Sequence, residues 1–172
     1  MSSDPLRNPA PLIRRVYAYV AYRIGDGADA EDVTSATFER ALRYRSTFDA
    51  RRGEPLSWLI GIARRELGNH FAQRPIDLAD EIEVAAPDDL ANEAHARLDL
   101  IVALRSLSDA EHELIALRYG ADLTARQIGE ALGRKTNAVE VALHRALGKL
   151  RRELEPSPAP GALATPEATP AP

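Results

Sequence analysis

Between Ala121 and Arg152 the chain reads ADLTARQIGEALGRKTNAVEVALHRALGKLRR, a short amphipathic segment, a glycine and a longer amphipathic segment, and a helix-turn-helix satisfies that order. Thr124 supplies a side-chain oxygen where a first helix needs an N-cap, and Ile128, Ala131 and Leu132 then fall on one inward side. Gly133 follows where the backbone must take positive φ to leave the helix. In the second helix Val139, Leu143, Ala146, Leu147 and Leu150 make one buried stripe at helical spacing, so the other faces are free to work.

Those free faces are basic. From Gly133 to Arg152 the chain carries Arg134, Lys135, Arg145, Lys149, Arg151 and Arg152 against a single acid, Glu140, an electrostatic footprint suited to phosphates. Arg134, Lys135, Thr136 and Asn137 cluster at the N-terminus of the second helix, the end that enters a major groove when such motifs dock; there Asn pairs with adenine and Arg with guanine. The bland counterpart is a solvated charged face on an ordinary helical hairpin. The coincidence of turn glycine, apolar stripe and charge favours DNA.

The whole chain has a formal charge of −4, which alone would argue against nucleic acid, but its distribution is uneven. Residues 1–75 hold 12 Arg and 9 acids, whereas the stretch from Ile76 to Glu93 holds Asp77, Asp80, Glu81, Glu83, Asp88, Asp89 and Glu93 with no base. That stretch contains Pro87, follows Pro75 and lacks apolar periodicity, so it reads as an irregular acidic linker between two more basic lobes. At the other end PSPAPGALATPEATPAP holds 6 of the 12 prolines and almost nothing able to build a core, which predicts a disordered tail.

Several classes of function are disfavoured. With no cysteine there is no disulfide framework or thiolate metal site, and His70, His95, His112 and His144 lack ligand spacing, so neither cofactor nor metal is expected. No Gly-rich phosphate loop or nucleophile motif points to an enzyme or a small-molecule substrate. No apolar run approaches the roughly 20 residues that span a bilayer, and MSSDPLRNPAP lacks the apolar segment of a signal peptide, so the expectation is a cytoplasmic protein without membrane insertion.

In the N-terminal part Ile13, Val16, Tyr17, Val20 and Ile24 predict an amphipathic helix ended by Gly25 and Gly27. A second helix follows, with Asp29 as cap and Val33, Ala36, Thr37, Ala41 and Leu42 along one side to about Tyr44. The loop STFDARRGEP then leads to a third helix, about Leu56 to Gln73. Phe48 beside Arg51 and Arg52 on that loop could stack an unpaired base and hold its phosphate; a core-packed ring beside solvated arginines fits the spacing equally well.

Taken in order, DAEDVTSATFERAL, a loop, WLIGIARRELGNHF, an acidic linker, LSDAEHELIALRYGADLTARQIGEALG and NAVEVALHRALGKLRREL resemble an extracytoplasmic-function (ECF) sigma factor, the small branch of the bacterial RNA polymerase sigma family, over roughly residues 8–155. The resemblance implies an all-α chain of two small helical domains: a region 2-like domain of three to four helices at 8–75 and a region 4-like helix-turn-helix domain at 97–155. The acidic linker at 76–96 joins them, and the tail occupies 156–172. It implies a polymerase subunit that directs promoter recognition and DNA melting, with core RNA polymerase and promoter DNA as partners and an anti-sigma factor as a possible third. Asp29, Glu31, Asp32, Thr37, Phe38, Glu39 and Arg40 look like the segment that docks on core polymerase. Phe48, Arg51, Arg52, Arg64, Arg65, Asn69 and His70 match the surface that takes the melted minus-ten element, with Trp58 and Ile62 holding the third helix in its core. Arg134, Lys135, Thr136, Asn137, Glu140, Val141, His144 and Arg145 match positions near the minus-thirty-five element. The linker is similar to the family segment that threads past the polymerase active centre.

The chain departs from the common family pattern at Arg65 and Ala72 in the third helix and at Glu140, Val141 and Ala142 in the recognition helix. Glu140 would repel phosphate yet accept a hydrogen bond from a cytosine amine. These departures motivate an alternative, a decoy that sequesters an anti-sigma factor; a free helix-turn-helix regulator is the third reading. The two lobes are expected to be independent, their spacing fixed by the polymerase.

Overall fold

The computed structural model of the chain describes residues 4–73, 99–100 and 102–155, and every described element is helical. The acidic linker at 76–96 and the Pro-rich tail at 156–172 lie outside the described residues. Pro9 opens α1 (Pro9–Ile24) in its first turn, where a missing N–H removes no helical hydrogen bond and the fixed φ is already helical. Gly25 closes the helix at φ +91°, its N–H donating to the Ala21 carbonyl at 2.9 Å.

Helix α2 (Ala28–Tyr44) is preceded by Gly27 as N-cap, not by Asp29. The chain reverses within three residues at a φ of +136° that Asp29 would not readily adopt, and Asp29 and Glu31 sit instead in the first turn, where the helix dipole favours them. A short 3₁₀ turn (Arg45–Thr47) and an extended loop lead to α3 (Pro55–Gln73). Val16 and Val20 of α1, Val33 and Ala41 of α2, and Leu56, Leu59, Ile60, Ala63 and Leu67 of α3 are buried in the core. The hydroxyls of Thr34 and Thr37, also buried, donate to the carbonyls of Ala30 and Val33 at 2.7 Å, so neither is left unsatisfied.

Two stripe positions differ from the periodicity. Leu42 is 56% exposed and Ile13 43% exposed, whereas Tyr19, outside the predicted α1 stripe, is fully buried. Tyr19 is covered because α1 packs against the C-terminal lobe as well as against α2 and α3.

In that second lobe Ala103 and Leu107 are buried just ahead of α4 (Asp109–Ile115). The helix opens on a reciprocal cap: the Ser108 hydroxyl accepts from the Glu111 N–H while the Glu111 carboxylate accepts from the Ser108 N–H. It runs on into a π-helical turn, Ala116–Gly120, whose Ala116 and Leu117 are fully buried. Then come α5 (Ala125–Leu132) and α6 (Thr136–Leu154), with Ile128, Val139, Leu143, Ala146 and Leu150 buried between and behind them.

The lobes pack against each other, contrary to the expectation of independent modules. The π-helical turn lies so close to α1 that a Cβ on Gly120 would come within 2.8 Å of the Tyr19 Cα and 2.9 Å of the Ala18 carbonyl oxygen. Arg15 reaches across, its guanidinium donating to the carbonyls of Ala121 and Asp122 at 2.7 Å each. Charge-assisted bonds of this kind are worth about 1.5–3 kcal/mol each, and here they satisfy carbonyls where the helical ladder stops.

Candidate nucleic-acid interface

The turn of the helix-turn-helix rests on two glycines with different duties. Gly133 adopts φ +65°, the left-handed C-terminal cap expected from the sequence. Gly129 is needed for a reason the sequence did not disclose: a Cβ there would lie 2.6 Å from the Arg134 carbonyl oxygen, so the incoming strand of the turn passes directly over α5. The Arg134 N–H donates to the Gly129 carbonyl at 2.8 Å and locks that crossing. Thr124 caps α5 as predicted, and Gln127 completes the reciprocal pair.

With α6 fixed in this way, Arg134, Lys135, Thr136, Asn137, Glu140, Val141, His144 and Arg145 are all exposed. The first four surround the helix start; Glu140, Val141, His144 and Arg145 continue for two further turns. The N-terminal N–H groups of α6 have no side-chain cap, so donors, the positive end of the helix dipole and two cationic side chains converge on one spot. Such a strip can hold phosphate at its start and read base edges along its length. Val141, 44% exposed, offers a methyl surface in the middle of that strip, and Glu140 offers the acceptor beside it. Lys149 is diverted inward: its ammonium pairs with Glu111 at 2.7 Å and pulls that carboxyl down to about 2, helped by the Ser108 N–H.

The minus-ten candidates are divided. Phe48 is half-buried with its ring 5.6 Å from that of Trp58 at a tilt of 59°, so it is an aromatic platform backed by the α3 core rather than a free ring or a wholly buried one. Arg51 folds back on Asp49 in its own loop, with nitrogen–oxygen distances of 3.1 and 3.2 Å, while Arg52 is exposed. On α3, Arg65 and Asn69 are one turn apart and exposed, with Asn69 donating to Glu66 at 3.3 Å. His70 is half-buried, its ring 6.0 Å from that of Phe71. Arg64 points to the C-terminal lobe and binds the Glu113 carboxylate at 2.9 Å. Trp58 and Ile62 pack on the core as expected.

Of the polymerase-docking candidates, Glu31, Asp32 and Glu39 are exposed on α2 and Asp29 and Phe38 half-buried. Arg40 is bound to Glu66 of α3 at 2.6 Å. Thr37 must be removed from the surface set: it is fully buried with its hydroxyl spent on the Val33 carbonyl, because it occupies the face of α2 that packs on the core.

Sequence reasoning missed the polar cluster between the lobes. Glu113 accepts from the Tyr19 hydroxyl and from Arg64, both at 2.9 Å, and its other oxygen lies 3.1 Å from Arg23, which also binds Asp109 at 2.6 Å. Burial and the neighbouring Glu113 charge push the Tyr19 phenol upward. An alternating pattern cannot announce such a cluster, since its members come from α1, α3 and α4.

Among the described residues no helix is long and apolar enough to cross a membrane. Two sequence profiles match the chain, Sigma-70 region 2 over residues 11–75 and Sigma-70, region 4 over residues 103–152. The chain is 33% identical over 148 residues to the ECF RNA polymerase sigma factor BldN of Streptomyces coelicolor, an alignment covering 81% of this chain and 56% of that protein. It is 33% identical over 169 residues to the ECF RNA polymerase sigma factor SigD of Mycobacterium tuberculosis, covering 88% of this chain and 77% of that one. Among solved structures, the sigma factor RpoE of Bartonella quintana, crystallised with the anti-sigma factor NepR, shares the fold at a TM-score of 0.63 and 19% identity, over 84% of this chain and 92% of that chain. With both profiles in order on one chain and a helical fold that carries them, the protein belongs to the ECF family of RNA polymerase sigma factors, alternative sigma subunits that direct promoter-specific transcription.

Proposed function

We propose that this chain works as such a subunit through three surfaces. The exposed acids of α2, Asp32 and Glu39 among them, dock on core polymerase. Phe48 on its Trp58 backing, with Arg52, Arg65 and Asn69, receives the melted minus-ten strand. The start of α6, from Arg134 to Asn137, grips the minus-thirty-five duplex, with Glu140, Val141 and Arg145 reading it. The observation that carries this reading is the uninterrupted exposed strip on α6, on a chain that also bears a region 2 match. The site of action is the cytoplasm, where polymerase and DNA are, and an anti-sigma factor is the natural antagonist.

Transcription in vitro with core polymerase tests it: a promoter-specific transcript is expected from purified chain, and its absence points to the decoy reading, for which Glu140 and the apolar Val141 on the recognition strip are the motive. Phe48→Ala should reduce strand opening, followed by permanganate reactivity of unpaired thymines, by about tenfold while duplex docking is kept, because one base–aromatic stack is worth about 1–3 kcal/mol. Equal loss of both would assign the ring to the fold alone.

A further inference from the structure

Asn69 is exposed on α3, but its amide is not free to turn over. One turn earlier on the same helix stands Glu66, whose side chain is 11% exposed, and the Asn69 Nδ2 donates to the Glu66 Oε2 at 3.3 Å. The other carboxylate oxygen faces α2: Oε1 is buried 2.6 Å from the Arg40 Nε, in an ionic contact and not an aligned hydrogen bond. Glu66 therefore stands between two donors, one on each helix, and the packing of α2 on α3 holds it there.

A carboxylate paired with a guanidinium has acceptors alone, whereas an asparagine amide has an acceptor side and a donor side. Because Glu66 can only accept, it takes the NH2 of Asn69 and turns the Asn69 Oδ1 outward; the reverse orientation would set two oxygens against each other. What the exposed tip of Asn69 offers is thereby fixed as an acceptor. Among the bases, adenine and cytosine carry an exocyclic amine that donates to such an oxygen, whereas guanine and thymine carry at the matching place a carbonyl that it repels.

We infer that Glu66 sets which bases the minus-ten surface accepts: by holding the Asn69 amide with its oxygen outward, it selects an unpaired base that bears an exocyclic amine, adenine or cytosine, at the position Asn69 meets. The inference rests on the reading of α3 as the surface for the melted strand. Glu66 touches no base itself; it acts through Asn69 and is a positioning residue. The same geometry makes the choice reversible. In Glu66→Gln the new side chain must keep its carbonyl toward Arg40, which has only donors, and so presents its NH2 to Asn69. The Asn69 amide then turns over and shows its own NH2 to the strand, which favours guanine or thymine. Adding Asn69→Asp to that variant returns an oxygen to the outer side, because a carboxylate has one on each side, and amine-bearing bases are favoured again.

The test gives the full chain with core polymerase a DNA pool randomised across the promoter and sequences the complexes that resist heparin. Asn69→Ala identifies the position, as the column of the melted stretch whose preference it erases. There the natural chain should favour adenine and cytosine over guanine and thymine by about tenfold, within what one specific base contact discriminates. Glu66→Gln should reverse that preference with helix content by circular dichroism unchanged, and Glu66→Gln combined with Asn69→Asp should restore it. A merely structural Glu66 would lower the yield of complexes and leave the column as it was. That result, a natural column of guanine or thymine, or no column that responds to Asn69→Ala, overturns the inference. Glu66→Ala, which frees the amide to rotate, should admit all four bases and decides the matter if the glutamine variant does not fold. A natural chain that forms no complex on any sequence overturns the proposed function and this inference with it, an outcome distinct from complexes whose column ignores Glu66.

Discussion

Helices α3 and α6 are each 19 residues long and each is expected from the sequence to carry a row of DNA-contacting side chains, yet they present them differently. One face of α6 is buried against its own lobe, and all eight candidates, six on the helix and two just ahead of it, are exposed. On α3 the corresponding set is split: Arg65 and Asn69 face solvent, His70 lies beside Phe71, and Arg64 is tied to Glu113 of the other lobe. A helix with one set of neighbours shows its function as the complement of its apolar stripe. A helix wedged between two has polar residues on faces that already have partners, and polarity alone no longer marks a free surface.

The sharpest way to break the α6 half of this comparison is at the turn beneath it. Gly129→Ala should destabilise the C-terminal lobe by about 3 kcal/mol, the upper part of the overpacking range, because the group in the way is backbone held by a hydrogen bond and has no rotamer to move to. Gly133→Ala should cost about 1–2 kcal/mol, since its surroundings are open and only the left-handed φ opposes a side chain. Denaturant unfolding of the two variants ranks them, and a larger loss at Gly133 would mean that the crossing over α5 is looser than described.

Arg134→Ala combined with Lys135→Ala comes next. Binding to duplex carrying the upstream element should fall by about tenfold at low salt, and the slope of log affinity against log salt should drop by about 1.8, or about 0.9 for each phosphate that is no longer neutralised. The same double change leaves the α3 surface intact. A fall in single-strand binding as large as the fall in duplex binding would therefore erase the distinction between the two helices.

How far the sequence could be read follows from the same geometry. The cap at Thr124, the left-handed Gly133 and the stripe from Val139 to Leu150 were legible because each depends on neighbours a few residues away. Tyr19, Glu113 and Gly120 were not, because what gives each its role lies on another lobe: the phenol meets a carboxylate 94 residues on, and the glycine is small for the sake of a helix about 100 residues earlier. Asp29 failed as a cap for a local reason, since the adjacent Gly27 could take the φ that the reversal demanded. Thr37 belongs by periodicity to the apolar side of α2 and by resemblance to a docking surface; burial keeps the first role and removes the second. Phe48 occupies both of the alternatives that spacing left open, half-buried on Trp58 and half available.

A smaller effect tests the cap that starts the helix-turn-helix. Thr124→Ala should cost about 1 kcal/mol by leaving the Gln127 N–H without its acceptor, and Gln127→Ala less, because the hydroxyl acceptor survives. Both are read as shifts in the thermal midpoint, and equal shifts would show that the two halves of the cap act only together.

The mildest prediction concerns the side of α4 that faces α1. His112 is held below its ordinary 6.5 by burial first and by the Arg23 charge second, while the Tyr22 carbonyl, Asp109 and Glu113 pull the other way. Its Nε2 is buried with no hydrogen-bond partner among the described residues. At pH above 6.5 the imidazole is neutral whether or not the interface is formed, so stability does not change with pH on its account. As pH falls through 6.5 the unfolded or opened chain takes a proton that the packed form refuses, and stability declines until the lower, packed-state value is passed. Glu111 titrates in a separate window: its contribution is complete above the ordinary 4.5 and is lost only as pH falls toward about 2. Thermal midpoints measured from about pH 7.5 down to about pH 5.5 should therefore fall modestly in the natural chain. His112→Gln should flatten that dependence, because an amide has no proton to gain. If the variant keeps the full slope, the pH response belongs to another group, and the packing of α4 against α1 does not exclude the proton.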